Sequence, residues 1–259
     1  MRLCARVASL VLVLVAAAAC GGSGSGFFAQ YEYEEDTYLS LDGTATIYVN
    51  GSVPALNALR GATFDPRPGA VLDKGAITAF FNGPGVRVTR VTFSSRNDRN
   101  YVHVRMDVDD VRRLHETRPF AWSTYSFNRD ANLMYYRQTV GAAARGSAGI
   151  QWAGDEIVAF RIHVPSKVPY HNAGADSLRR GNILVWEQSL AERLAGTPLE
   201  IDARMETQSI LYRTLALFGI TIVVVAVMFA VILWWVIRVK GRQALASGQA
   251  GLARRASKR

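Results

Sequence analysis

The sequence predicts an α+β fold: an antiparallel β-sheet of about eight strands with short helices on one face, plus one C-terminal transmembrane helix. Three observations predict it. Runs of strand length alternate apolar and polar residues and are separated by polar turns. Helix-start residues, Ser52 and the pair Asp109-Asp110, fall between those runs. A long uncharged apolar segment, Leu215 to Ile237, lies near the C-terminus.

The elements follow in order. Tyr31-Glu32-Tyr33-Glu34-Glu35-Asp36 reads as a solvated lead-in to the first strand, or as an acidic surface strip with aromatic contacts. Leu39 to Val49, with Thr-Ala-Thr-Ile-Tyr-Val at its end, is the first strand. Ser52 caps a helix carrying Pro54 in its first turn, with Leu56 and Leu59 inward. Lys74 to Phe81 forms a second helix. Val86–Phe93 and Tyr101–Val108 make an antiparallel hairpin around the polar stretch 94–100, burying Val102, Val104, Met106 and Val108 on one face. Asp109-Asp110 opens a third short helix with Val111 and Leu114 inward. Trp122–Phe127 and Leu133–Val140 form a second hairpin, turning through Asn128-Arg129-Asp130. Strands at Ile157–Val164, Ile183–Gln188 and Leu199–Met205 complete the set.

The ends of the chain speak of targeting. In residues 1–20, Arg2 and Arg6 precede an apolar run, Val7 to Val15, and the small residues Ala16 to Ala19, as in a signal peptide. Cys20 follows directly and makes the site a lipoprotein-type signal, although Ala17 stands where that motif prefers Leu. Simple cleavage after the alanines is the alternative. Residues 21–30 begin with Gly-Gly-Ser-Gly-Ser-Gly, a flexible tether. The folded domain is assigned to 31–207, the membrane helix to 211–237 and a basic tail to 238–259. At about 1.5 Å per residue the uncharged core spans roughly 34 Å, enough to cross a bilayer. Tyr212 and Trp234-Trp235 mark its interfaces, and the arginines and lysines after Ile237 predict a cytoplasmic tail with the domain outside.

Charge excludes one function class. The chain has 30 Lys and Arg against 21 Asp and Glu. Two of the basic residues lie in the signal and seven in the tail, which leaves the exported part formally neutral. A nucleic-acid binder needs its excess on the folded domain. The two cysteines, Cys4 and Cys20, both lie in the signal region, so no intramolecular disulfide staples the domain.

Catalytic and metal motifs are missing: no Gly-x-Ser-x-Gly, no phosphate-binding glycine loop, no His-Glu-x-x-His. His103 and His163 alternate within strands as structural histidines, and His115 sits on a helix surface. Asp107, Asp109 and Asp110 form the tightest carboxylate group. Calcium would need more oxygens at close range, and helix-start roles explain Asp109 and Asp110. Neither a catalytic residue, a metal site nor a cofactor is assigned.

Residues Phe-Arg-Ile-His-Val-Pro-Ser-Lys-Val (160–168), Tyr170-His171-Asn172-Ala173, Gly181-Asn182-Ile183-Leu184-Val185-Trp186 and Leu199-Glu200-Ile201-Asp202-Ala203 precede the span. With the lipobox, α+β domain, membrane helix and basic tail, this pattern resembles the LppM-like family of bacterial lipoproteins. The resemblance implies a non-enzymatic envelope protein for which lipid or glycolipid binding has been suggested. Tyr170, His171, Asn172 and Trp186 match the motif and are binding candidates, while a turn and a core tryptophan account for the same residues. The expected function is a membrane-anchored extracytoplasmic module, not an enzyme, that binds lipid, glycolipid or a membrane protein and no nucleic acid. The alternative is an envelope hydrolase whose paired carboxylates come from distant segments.

Overall fold

The computed structural model describes residues 30–144, 152–174 and 182–256. The predicted signal, Cys20 and most of the tether lie outside them. Ten strands occur among the described residues: β1 (Gln30–Leu39), β2 (Ala45–Ser52), β3 (Val86–Arg96), β4 (Arg99–Val108), β5 (Ser123–Asp130), β6 (Leu133–Val140), β7 (Glu156–His163), β8 (Tyr170–His171), β9 (Ile183–Ser189) and β10 (Leu199–Glu206). The helices are α1 (Val53–Arg60), α2 (Lys74–Phe81), α3 (Leu190–Leu194) and α4 (Ile210–Ala256), with two 3-10 turns at Val111–Glu116 and Arg118–Phe120. The α+β class holds. The strands divide between a six-stranded sheet, ordered β3-β4-β2-β1-β7-β9, and a four-stranded sheet, ordered β5-β6-β10-β8. Ladders are antiparallel except β1 with β7, which run parallel.

One segment corrects the sequence reading. The acidic stretch from Tyr31 to Asp36 is not a lead-in but most of β1, a central strand between β2 and β7. From Tyr33 onward it alternates: Tyr33, Glu35, Thr37 and Leu39 are buried while Glu34, Asp36 and Tyr38 face the other way, and before that a register shift between Tyr31 and Tyr33 buries Glu32 as well. Glu35 is tolerated inside because the Arg60 guanidinium pairs with it. The expected first strand, Leu39 to Val49, is therefore the end of β1, a turn and most of β2.

Local signals explain the helices. Ser52 Oγ accepts from the Ala55 amide and Pro54 preorganises the first turn of α1. Gly61, at φ +68°, closes the helix with its amide on the Leu56 carbonyl. Asp73 caps α2, which buries Ile77, Phe80 and Phe81. Asp110, not Asp109, caps the first 3-10 turn. That turn buries Val111 and Leu114 as expected. The core is one continuous cluster drawn from the helices, the inner face of the six-stranded sheet (Ile47, Val49, Val104, Met106, Phe160, Ile162) and the four-stranded sheet (Phe127, Met134, Tyr136, Ile201, Met205).

The folded part is tied to α4 at one rim. Past β7 and β10 the two chains meet: the Glu206 amide donates to the Lys167 carbonyl (2.9 Å), Ser166 bridges Ser209, and the Ile210 amide donates to the Pro165 carbonyl (3.1 Å). Ile210–Arg238, whose most apolar 18-residue stretch has a mean hydropathy of 3.0, is long and apolar enough to cross a membrane. The C-terminal ends of β1, β4 and β7 and the start of β2 share this rim.

Candidate functional site

The register of the six-stranded sheet assembles the site. On the face opposite the core, Arg87 of β3 pairs with Asp107 of β4, Asp107 with Thr46 of β2, Thr46 with Tyr38 of β1, and Tyr38 with His163 of β7. Residues far apart in the chain thus form one row across five adjacent strands. Just beyond it, Ser40 and Thr44 come from the β1–β2 turn, Asp109 follows β4, and Val164 and Pro165 follow β7. Together they enclose an open cleft of about 550 Å³. Pro165 is the residue whose carbonyl accepts the first amide of α4, so the cleft opens beside the base of that helix.

The turn holding Ser40 and Thr44 is fixed by its own hydrogen bonds. The Ser40 amide donates to the Thr44 carbonyl, and the Gly43 amide donates back to Ser40. Gly43 sits at φ +91°, which a side chain rarely adopts. Asp42 accepts from both the amide and the hydroxyl of Thr44.

The wall of the cleft is aromatic. The Tyr38 and His163 rings stack at 3.8 Å and 11°, and Tyr38 meets Tyr48 edge-on at 5.5 Å. Tyr38 remains 45% exposed, so part of its ring is open to a ligand. Burial lowers the pKa of His163 below its ordinary value; nearby Asp36 opposes this and Arg161 adds to it. The imidazole is therefore neutral at pH 7. Burial also raises the pKa of Tyr38, with Asp36 acting in the same direction.

Carboxylates set the cleft's charge. Asp107 lies 3.3 Å from Arg87 and accepts from the Thr46 hydroxyl at 3.4 Å. Asp109 is exposed; its amide donates to the Gly85 carbonyl, and its side chain has no bonded partner among the described residues. Among the described residues no lysine or arginine lines the cleft. The neighbouring Arg161 is held on Glu34 (2.6 Å) and Asp36 (3.4 Å). Asp110 is spent on capping and on a paired contact with Arg112. Asp110 thus departs from Asp107 and Asp109, which both line the cleft, and among the described residues no group of three or more histidines, cysteines or acids is placed to hold a metal ion.

The residues singled out by sequence sit elsewhere. Asn172 accepts from Trp186 Nε1 (3.0 Å) and from the Asp202 amide (2.9 Å), and donates to the Glu200 carbonyl (2.9 Å). It therefore ties β10 of the four-stranded sheet to buried Trp186 on β9 of the six-stranded sheet. Tyr170 is exposed, with the Arg204 guanidinium 4.4 Å from its ring and Tyr135 5.5 Å from the same guanidinium. His171 is half-buried and pairs with Ala203 on β10. Asn172 and Trp186 link the sheets, Tyr170 and His171 stay with the four-stranded sheet, and none of the four lines the cleft. Sequence reasoning noted Asp107 and Asp109 within one carboxylate group and His163 as a structural histidine, and passed over Tyr38, Thr46 and Ser40. Strand parity was available for Thr46, Asp107 and His163, but register was not.

No family model matches the chain, and no curated protein matches it. Among solved structures it is similar to the folded domain of LppM from Mycobacterium tuberculosis, determined by NMR. The identity is 11% and the TM-score 0.39, covering 71% of this chain and 95% of that domain. This is a weak, distant similarity to an LppM-type fold and assigns no role to any residue.

Proposed function

We propose that the chain is a non-catalytic module of a bacterial cell envelope, held to the membrane by α4, that receives a lipid headgroup in the cleft at its rim. The observation that carries this reading is the hydrogen bond from Ile210, at the start of the apolar helix, to Pro165, a wall of the cleft. A cleft fixed beside the base of a membrane helix opens at headgroup level. The excess of arginine and lysine after Ile237 supports a cytoplasmic tail with the folded domain outside. A lipid on Cys20 would add a second anchor and restrict the domain to the membrane surface.

The test is native mass spectrometry of the full-length chain released from bacterial membranes in mild detergent. Wild type is expected to carry a bound lipid that His163→Ala, which removes half of the stacked wall, loses. A lipid-free wild type, or equal retention by both, overturns the reading.

A second reading, an envelope hydrolase, draws on a different group. Ser94 Oγ lies 2.8 Å from His103 Nε2, and His103 Nδ1 lies 2.9 Å from Asn50 Oδ1, in the order of a nucleophile, a base and an orienting group. Labelling of Ser94 by a fluorophosphonate, abolished in His103→Gln, would establish it. Absence of labelling leaves the three as a cross-strand hydrogen-bond chain.

A further inference from the structure

The headgroup reading leaves open which headgroup, and the lining of the cleft answers that. We propose, building on that reading, that the cleft selects a primary ammonium headgroup, as carried by phosphatidylethanolamine.

A ligand entering here meets Asp107 and Asp109, the hydroxyls of Ser40, Thr44, Thr46 and Tyr38, and a partly open aromatic ring, with no lysine or arginine in the lining. An anionic headgroup would face two carboxylates and no cation within the cleft. A primary ammonium has three N–H donors and no acceptor, and the lining answers it with acceptors. The open part of the Tyr38 ring adds the attraction of an aromatic face for a cation, effective within about 6 Å. Because His163 is neutral, it does not offset the aspartates. The charge is therefore complementary to an amine.

The rim fits the other half of such a headgroup. Arg87 is 80% exposed and stands 3.3 Å from Asp107, at the end of the same cross-strand row. A zwitterion with its ammonium between Asp107 and Asp109 would turn its phosphate toward this guanidinium. Of the neighbouring arginines on this face, Arg161 is engaged by Glu34 and Asp36, and Arg105 lies over the Tyr48 ring, 5.6 Å from its centroid. The aspartates matter here because of where they stand: in a cleft with an aromatic wall, beside the helix that reaches the bilayer.

The experiment uses the full-length chain in nanodiscs with a phosphatidylglycerol background. Equal fractions of phosphatidylethanolamine, phosphatidylcholine and a galactosyl diacylglycerol are added, and the lipids that stay with the protein on release are counted by native mass spectrometry. Phosphatidylethanolamine is expected to be enriched about fivefold over phosphatidylcholine, as one half-exposed charged contact implies. Asp109→Asn, at a side chain with no bonded partner among the described residues, should reduce the enrichment, and Asp107→Asn with Asp109→Asn should abolish it. Enrichment of the galactolipid, or of the background lipid, overturns the ammonium assignment and leaves the headgroup reading standing. No enrichment of any lipid overturns both. An unchanged preference in the double variant overturns the assignment to these two residues, provided its thermal unfolding matches wild type.

Discussion

The two faces of strand β1 carry acids and aromatics in nearly equal number, and the fold treats them in opposite ways. Inward, Tyr33 and Glu35 both receive hydrogen bonds from Arg60. Arg60 also donates to the Pro119 carbonyl, and its guanidinium lies 3.7 Å from the Trp122 ring. A second buried arginine, Arg193, sits 5.2 Å from the same ring and donates to the carbonyls of Val140, Gly141 and Thr197. Burial and then the charge of Arg60 push its pKa down to about 10. Outward, Tyr38 keeps an open ring, and across the sheet Asp109 keeps an unbonded carboxylate. The difference follows from desolvation. A charge taken out of water is retained only if partners replace the water, so the buried charges of Glu35, Arg60 and Arg193 are already committed to partners. Bonding capacity is left over where water still reaches, and that is where a ligand can replace it.

The comparison breaks hardest on the inside. Arg60→Met leaves Glu35 buried without its cation and is expected to cost about 3–5 kcal/mol. Arg60→Met with Glu35→Leu removes both charges and should recover most of that loss, since hydrophobic replacement of a buried pair is often neutral. Thermal unfolding of the full-length chain in detergent, followed by tryptophan fluorescence, measures both. If the double variant is as unstable as the single, the pair is contributing through geometry that apolar side chains cannot reproduce.

The same asymmetry decided what could be read from sequence. Strands β3, β4, β5, β6, β7, β9 and β10 were legible, because each buries one apolar set and its alternation shows. The cap of α1 was legible because Ser52 and Pro54 act on neighbours a few residues away. Strand β1 was not. Its inward Glu35 looks solvated until Arg60 on α1 is known, and buried Glu32 until Arg99 (2.7 Å) and Tyr101 (2.9 Å) on β4 are placed beside it. The cleft was illegible for a related reason. Residues 38, 46, 107 and 163 meet only once four strands are in register, and no spacing within one segment encodes that. The partition into two sheets is equally hidden, since strands of both sheets carry the same alternation.

Between the extremes lies the link from sheet to sheet. Asn172→Ala removes the acceptor of buried Trp186 Nε1 and of the Asp202 amide, and is expected to cost about 1–3 kcal/mol through unmet buried donors. Asn172→Asp keeps both acceptors and should cost less. Equal losses would mean that the side-chain amide, through its bond to the Glu200 carbonyl, matters as much as the oxygen. Ser52→Ala, which deletes one cap of a fully packed helix, should cost about 1 kcal/mol. Asp109→Asn, on the outward side, should stay within about 0.5 kcal/mol of wild type while changing lipid retention.

The smallest expected effect is a pH dependence at the cleft wall. Burial holds the pKa of His163 below its ordinary value, which is about 6.5. The groups facing it are Tyr38 and Asp36 on β1 and Arg161 on its own strand. Since the folded state binds this proton less readily than the unfolded chain, the unfolded state holds more protons in the window between the two pKa values. Stability must then rise with pH through that window: the full contribution is present above about 6.5 and is lost as pH falls below it. His103 is shifted the same way by burial, against the pull of Glu34, and adds to the slope. His163→Gln should therefore flatten part of the decline in melting temperature between neutral and mildly acidic pH, and adding His103→Gln should flatten it further. The acids with lowered pKa values, Asp42, Asp65, Asp110, Glu116 and Glu156, titrate below this window and leave it unobscured. A slope of the opposite sign would mean that the stacked imidazole is charged, and the cleft would then carry a cation where an ammonium headgroup requires none.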